Sequence, residues 1–288
     1  MTDLVIQSAE LPTDAVNAFK VACVARRVRR KVNAARLVDV QDDADTRRAA
    51  QALGKYWKCD YALVAPTLAL TDFRVLALDM DSTLITIESL DELATYAGKG
   101  AEVAALTGAA MRGEVTDYAA SLRKRVALLA GADASLLERV FTEKLRIAPG
   151  AEALIAACKD AGLRVLLATG GFDFFANRLQ EQLNIDAVRC NRPVIAGGKL
   201  TGGVTGPDGG PIIDAEGKAK ALRDICASVG CPTAQAIAIG DGANDLKMLA
   251  LAGLSIAYRA KPIVQKNATQ SLDFTGLDGV LEWFAAER

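Results

Sequence analysis

Val75 to Thr83 reads VLALDMDST: four apolar residues run straight into Asp79, Met80, Asp81, Ser82 and Thr83. An apolar run of that length, ending in acid and hydroxyl side chains, suits a central strand of a parallel sheet. Such a strand is buried on both faces, and its carboxyl edge is where open α/β folds bind ligands. Two carboxylates two residues apart therefore stand where chemistry is done. Two further apolar strands end the same way. Arg164 begins RVLLATGGF, which delivers Thr169, Gly170 and Gly171, and Gln235 begins QAIAIGDGAND, which delivers Asp241, Gly242, Asn244 and Asp245. With the three strands as parallel neighbours, one crest carries two carboxylates, a hydroxyl beside two unobstructed amides, and a second acidic cluster. That is a site for a cation and a phosphate.

Composition narrows the classes. The 288 residues suffice for one large or two modest domains, and 34 basic against 35 acidic side chains leave no global field for nucleic acid or an anionic membrane. The apolar stretches are far short of a bilayer span, and MTDLVIQSAE lacks a basic segment followed by an apolar one, so a soluble cytoplasmic protein is expected. No histidine occurs, which excludes His-activated nucleophiles, His-ligated zinc and His general bases. Acid and base work falls to carboxylates, Lys, Tyr or Cys. Cys23, Cys59, Cys158, Cys190, Cys226 and Cys231 form no CxxC pair and read as buried, reduced thiols.

Residues 1–72 read as a small α/β unit, with strands at Leu4 to Gln7, Arg36 to Val40 and Tyr61 to Val64, a helix capped by Thr13, and another from Asp45 to Tyr56. Its basic stretch ARRVRRKVNAAR, Ala25 to Arg36, is read as a solvated helix face neutralised by the acids that follow. Between DMDST and the second strand, helical apolar spacing recurs at 89–97, 101–111, 118–130 and 134–145. An insertion of that length at a strand's carboxyl edge, about residues 88–148, should stand over the site as a helical cap that selects substrates and excludes water. Phe172 to Leu183 reads as a returning helix, the Gly-rich stretch from Gly197 to Gly210 as an exposed hairpin, and Lys218 as the opening of a helix to about Val229.

DMDST, TGGF, Lys218 and GDGAND, in that order, resemble the four motifs of the haloacid dehalogenase (HAD) superfamily of phosphatases, and in detail those of the phosphoserine phosphatase family. The resemblance runs from about Arg74 to the C-terminus. It implies an α/β fold for residues 73–288, a HAD-like Rossmannoid parallel sheet with a helical cap insertion, and likens residues 1–72 to the small ACT-like domains appended to such enzymes. By resemblance, Asp79 is the nucleophile that forms an aspartyl-phosphate, and a carboxylate needs no base to ionise. Asp81 is the general acid and base, its pKa raised by the neighbouring carboxylate. Mg²⁺ would meet Asp79, Asp241 and the backbone carbonyl of Asp81, with Asp245 holding the ion through water or through a bond to one of its ligands. Thr169 and Gly170 would bind the phosphoryl group, and Lys218, in preference to Lys220, would be its fixed positive charge.

The cap segments extend the resemblance to a substrate. ITIESLDELA places Glu88 where the family receives an ammonium, and SLRKRVALL places Arg125 where it clamps a carboxylate. Met111 and Tyr118 resemble the apolar cap positions, usually Met and Phe, although MRGEVTDYAASLRKR is one residue longer than the family spacing. Asn244 orders its loop or touches the phosphate or substrate. O-phospho-L-serine is the implied substrate. Phosphoryl transfer to another acceptor, action on another small phosphate ester, haloacid dehalogenase chemistry and a non-catalytic amino-acid sensor are the alternatives. A homodimer is compatible with the small first unit.

Overall fold

The computed structural model describes residues 2–115 and 117–285. Two sheets organise them, of four and seven strands. In the first, β1 (Thr2–Gln7), β2 (Arg27–Arg30), β3 (Ala34–Val40) and β4 (Asp60–Val64) lie in the order β2-β3-β1-β4, all antiparallel. α1 (Thr13–Ala22) follows β1 and α2 (Ala44–Trp57) precedes β4. Side chains alternate across a strand, and both faces of this sheet are used. Leu4, Ile6 and Leu63 pack with Phe19 and Ala50 under the two helices. Val5, Ala62 and Val64 join the large core of the rest of the chain. That double burial explains why the LVI of β1 is continuously apolar.

Two expectations fail in this unit. Thr13 does not cap α1: the helix starts at Thr13 after an extended Pro12 and has no side-chain cap, whereas α2 is capped by Asp43, which accepts from the Thr46 amide at 2.8 Å. The basic stretch is not a helix face either. Arg27–Arg30 is the edge strand β2, paired with β3 so that Val28 faces Leu37 and the flanking arginines face solvent. The charge count hid a period of two, which a hairpin partner turns into a strand.

The second sheet runs β11-β10-β9-β5-β6-β7-β8. Its strands are β5 (Val75–Leu78), β6 (Arg164–Phe172), β7 (Ala187–Ala196), β8 (Lys199–Thr205), β9 (Ala236–Gly240), β10 (Leu254–Tyr258) and β11 (Gln270–Leu272). All neighbours are parallel except β7 and β8. From β5 the chain winds outward through β6 and β7, then returns to β5's other side for β9, β10 and β11. The strand order therefore reverses beside β5, the place where such sheets bind ligands. α7 (Ala151–Asp160), α8 (Asp173–Leu183), α9 (Ala215–Ser228), α10 (Leu246–Leu249) and α11 (Pro262–Asn267) complete this unit, numbered after the cap helices α3 (Ser89–Tyr96), α4 (Gly100–Met111), α5 (Tyr118–Ala127) and α6 (Ser135–Arg139).

The cap leaves and re-enters the sheet on a narrow stem, where Ile85 bridges Ile147 and the Ala148 amide donates to the Leu84 carbonyl at 2.8 Å. The Gly-rich hairpin is exposed at its turn, as expected, with one residue anchored inward. It turns at Gly197 and Gly198, both at positive φ, and Leu200 is buried under the cap by hydrogen bonds with Gly131 and Ala132. Where the two sheets meet, the Asp60 carboxylate gathers the amides of Asp273, Phe274 and Thr275 at 2.6 to 3.1 Å, together with the Thr275 hydroxyl at 2.7 Å.

Candidate active site

Sheet register assembles the site. Leu78 sits beside Leu167 on one side and Ile239 on the other, so Asp79, Thr169 and Asp241 leave the same edge of three adjacent strands. The chain after β5 then makes a wide turn over Met80–Leu84, closed by the Ile85 amide on the Met80 carbonyl at 2.9 Å. Met80 is sunk in the core, which leaves Asp79 and Asp81 to the ligand side. Ser82 takes a left-handed φ of 56°, a region that short polar residues tolerate. From there its hydroxyl donates to Glu88 Oε1 at 2.7 Å.

Charge at the crest is unbalanced. Lys218, in the first turn of α9 and fully buried, donates to Asp79 Oδ1 at 2.6 Å and to Asp245 Oδ1 at 2.7 Å. Lys220 is exposed and pairs with Asp224 instead. Burial alone would lower the Lys218 pKa, but the charges of Asp245 and Asp79 outweigh it and raise the group above its ordinary value. One cation thus serves two carboxylates and fully neutralises neither. Asp79 is pushed up to about 7, by burial first and Asp245 second, against the pull of Lys218. Asp241 rises well above the carboxylate range through burial and the charges of Asp245, Asp79 and Glu88. Its one side-chain partner among the described residues is the Thr83 hydroxyl at 3.4 Å.

That surplus of buried negative charge fits a divalent cation. Asp79, Asp241 and Asp245 each offer a carboxylate oxygen, all within 4.8 Å of one another, and an all-oxygen set suits Mg²⁺. Asp245 already gives one oxygen to Lys218 and the other to the amides of Asp241 and Gly242 at 3.2 and 3.0 Å, so it chiefly shapes the loop. The Asp81 side chain stands outside this cluster. It accepts from the Ser89 amide at 2.7 Å, at the start of α3, and its other oxygen lies against Gly171. Its pKa is pushed up to about 6, chiefly by burial, with the Asp79 charge adding and Ser89 opposing. The Asp81 pKa is thus raised as expected, with burial contributing more than the neighbouring charge.

Opposite this cluster the TGG turn is held open. Gly171 donates to Thr169 Oγ1 at 2.8 Å, so the Thr169 hydroxyl keeps its own proton to give. A side chain at Gly170 would strike the Tyr118 hydroxyl of α5, so the backbone can approach a ligand only as glycine. Asn191, fully buried on β7, ties the Gly170 carbonyl to the segment before α9 through Ile213. Over the crest the cap brings Glu88, Met111, Tyr118 and Arg125, which line one cavity with Asp79, Asp81, Thr169, Gly170 and Asn244. The Asn244 Oδ1 is buried there without a partner among the described residues. Glu88 is pushed up to about 7, first by burial and then by Asp81. Arg125 lies 5.5 Å over the Tyr118 ring. The cavity measures about 20 Å³, room for one water-sized body. Sequence reading missed Ser82, Ser89 and Asn191. Each is a small polar residue whose role arises from a contact outside its own motif.

Residues 76–250, more than half of the chain, match the haloacid dehalogenase-like hydrolase family. The chain belongs to that family. Among curated relatives, the phosphoserine phosphatase of Polaromonas sp. (strain JS666) is 51% identical over 220 residues, which cover 76% of this chain and 93% of that one. A solved phospho-aspartyl intermediate analogue of phosphoserine phosphatase matches with a TM-score of 0.69 at 35% identity, over 74% of this chain and 99% of that one. A probable phosphoserine phosphatase from Vibrio cholerae, solved unliganded, matches with a TM-score of 0.80 at 34% identity over 98% of this chain and 85% of its own, so the likeness extends through the first sheet.

Proposed function

We propose that this chain hydrolyses O-phospho-L-serine to L-serine and inorganic phosphate through a phosphoryl group carried on Asp79. In this reading Asp79 attacks through Oδ2, because Lys218 holds Oδ1. Lys218 and the Thr169 hydroxyl take up charge on the phosphoryl oxygens, and the Gly170 backbone approaches them unobstructed. Asp81 gives its proton to the departing serine alkoxide. An incoming phosphate dianion pushes its pKa further in the direction burial already sets. Asp81, now ionised, takes a proton from water, which attacks phosphorus, breaks the bond to Asp79 and frees phosphate. Asp79, Asp241 and the Asp81 backbone carbonyl, with Asp245 behind them, would hold Mg²⁺, which would supply positive charge against the repulsion between nucleophile and phosphate. Glu88 receives the ammonium and Arg125 the carboxylate, while Met111, Tyr118 and Asn244 close around the seryl carbon and phosphate.

The observation that carries the substrate reading is Arg125. It is 3% exposed, and its Nε and Nη2 find no partner among the described residues. A buried guanidinium with two idle donors over a phosphate site calls for a planar anion, and a carboxylate fits that fork. The test is phosphate release from L-phosphoserine and from p-nitrophenyl phosphate, with and without Mg²⁺, for the parent and Asp79→Asn. Metal-dependent turnover favouring phosphoserine and lost in Asp79→Asn is expected; equal turnover of both esters overturns the roles of Glu88 and Arg125.

We further infer a cytoplasmic enzyme with a separate first unit at 1–72, through which two chains can pair, ahead of the phosphatase unit at 73–288. Among the described residues no helix is long and apolar enough to cross a membrane.

A further inference from the structure

Three cap helices meet at a buried hydrogen-bond chain that none of the motifs foretold. Thr107 of α4 is 3% exposed. Its hydroxyl donates to Asp91 Oδ1 of α3 at 2.6 Å and accepts from Arg125 Nη1 of α5 at 3.1 Å. A hydroxyl has one proton to give, and here it goes to Asp91, so the lone pairs face Arg125 in a fixed sense. The guanidinium is thereby held by one corner. Its Nη1 is spent on Thr107, while Nε and Nη2, which share the opposite edge, stay buried and idle. That edge presents two parallel N–H donors, the geometry that grips both oxygens of one carboxylate. The Tyr118 ring, 5.5 Å from the guanidinium carbon, covers it from the side.

We propose that Thr107, backed by Asp91, is a positioning residue for substrate selection. It turns Arg125 so that the Nε and Nη2 edge, and no other, meets the carboxylate of an amino-acid phosphate. This rests on the reading of Arg125 given above and adds the device that aims it. Without the Thr107 hydroxyl, the buried guanidinium has no fixed corner and rotates toward Asp91, the acid on the far side of that hydroxyl. The loss falls on binding the carboxylate and spares the phosphoryl chemistry, since neither Thr107 nor Asp91 lines the phosphate cavity.

The test compares O-phospho-L-serine with O-phosphoethanolamine, which keeps the ammonium and phosphate and lacks the carboxylate. In Thr107→Val, equal in size, KM for phosphoserine is expected to rise about tenfold with kcat within about twofold, while both constants for phosphoethanolamine stay within about twofold. Thr107→Ser, which restores the hydroxyl, recovers the parent selectivity. A Thr107→Val enzyme that weakens equally on both substrates, or on neither, overturns the positioning role, and so does a Ser variant as impaired as Val. If Thr107→Val fails to fold, Asp91→Asn is measured in its place and is expected to raise KM for phosphoserine alone. A parent enzyme indifferent to the carboxylate overturns both this inference and the substrate reading, which separates the two failures.

Discussion

Replacing Lys218 by methionine removes one charge and almost no volume from a fully buried position. Two hydrogen bonds disappear, of 2.6 Å to Asp79 and 2.7 Å to Asp245, and two carboxylates remain in low dielectric beside a third at Asp241. Breaking a buried pair from one side costs about 3–5 kcal/mol, because the stranded charge keeps its desolvation penalty. With roughly 2–4 °C per kcal/mol for a unit of this size, the metal-free variant should melt about 6–20 °C below the parent at pH 8. The sign of the pH dependence follows from the carboxylates. Asp79 stands at about 7 in the folded chain against about 3.9 unfolded, and losing Lys218 raises it further. The folded state then holds more protons than the unfolded state at neutral pH, so stability falls as pH rises through the folded pKa. The deficit is therefore largest above pH 7 and shrinks as pH drops toward 5. Circular-dichroism melts in chelator at pH 8 and pH 5 measure it, alongside phosphate release, which should fall at least about a hundredfold. A variant that melts within 2 °C of the parent at pH 8, or whose deficit grows on acidification, refutes the assignment of Lys218 as the counter-ion of the crest.

Other perturbations read different contacts. Asp241→Asn removes the most uncompensated carboxylate, so the metal-free variant should melt at or above the parent at pH 8 and gain less than the parent from millimolar Mg²⁺, as a melt with and without the ion will show. Glu88 must be ionised to receive an ammonium, and burial together with the Asp81 charge pushes its pKa up to about 7. Hence kcat/KM for phosphoserine should fall below pH 7 more steeply than for p-nitrophenyl phosphate, and parallel profiles would remove Glu88 from the ammonium site. Gly170→Ala drives a methyl into the Tyr118 hydroxyl. Activity should drop more than tenfold, and Tyr118→Phe in the same chain should restore part of it. Asp60→Ala strands the amides of 273–275 and should cost about 2–3 kcal/mol, seen as a lower melting temperature with KM for phosphoserine unchanged.

How much of this was legible depends on the range of the physics involved. A buried parallel strand declares itself in its own residues, so VLAL, RVLLA and AIAI each announced a strand, while the pairing of β5 with β6 and β9 is what puts Asp79, Thr169 and Asp241 on one edge. The basic stretch at Ala25 to Arg36 was misread because its period of two is visible only once β3 supplies a partner. The surroundings of Asp79 and Asp81 were only partly legible for the same kind of reason. Sequence shows that two carboxylates are close in the chain, but it does not show that Asp245, more than 160 residues away, adds its charge beside the first of them while the Ser89 amide relieves the second. Thr107 lies at the limit of this argument. Nothing in LTGAAM distinguishes its threonine from a helix-surface residue. Its role is created by α3 and α5 arriving on either side with an acid and a guanidinium. Motifs therefore report the groups that touch the phosphate, which any relative with the same chemistry must share. The groups that aim Arg125 come from how three helices of this cap pack, and only a folded chain reveals them.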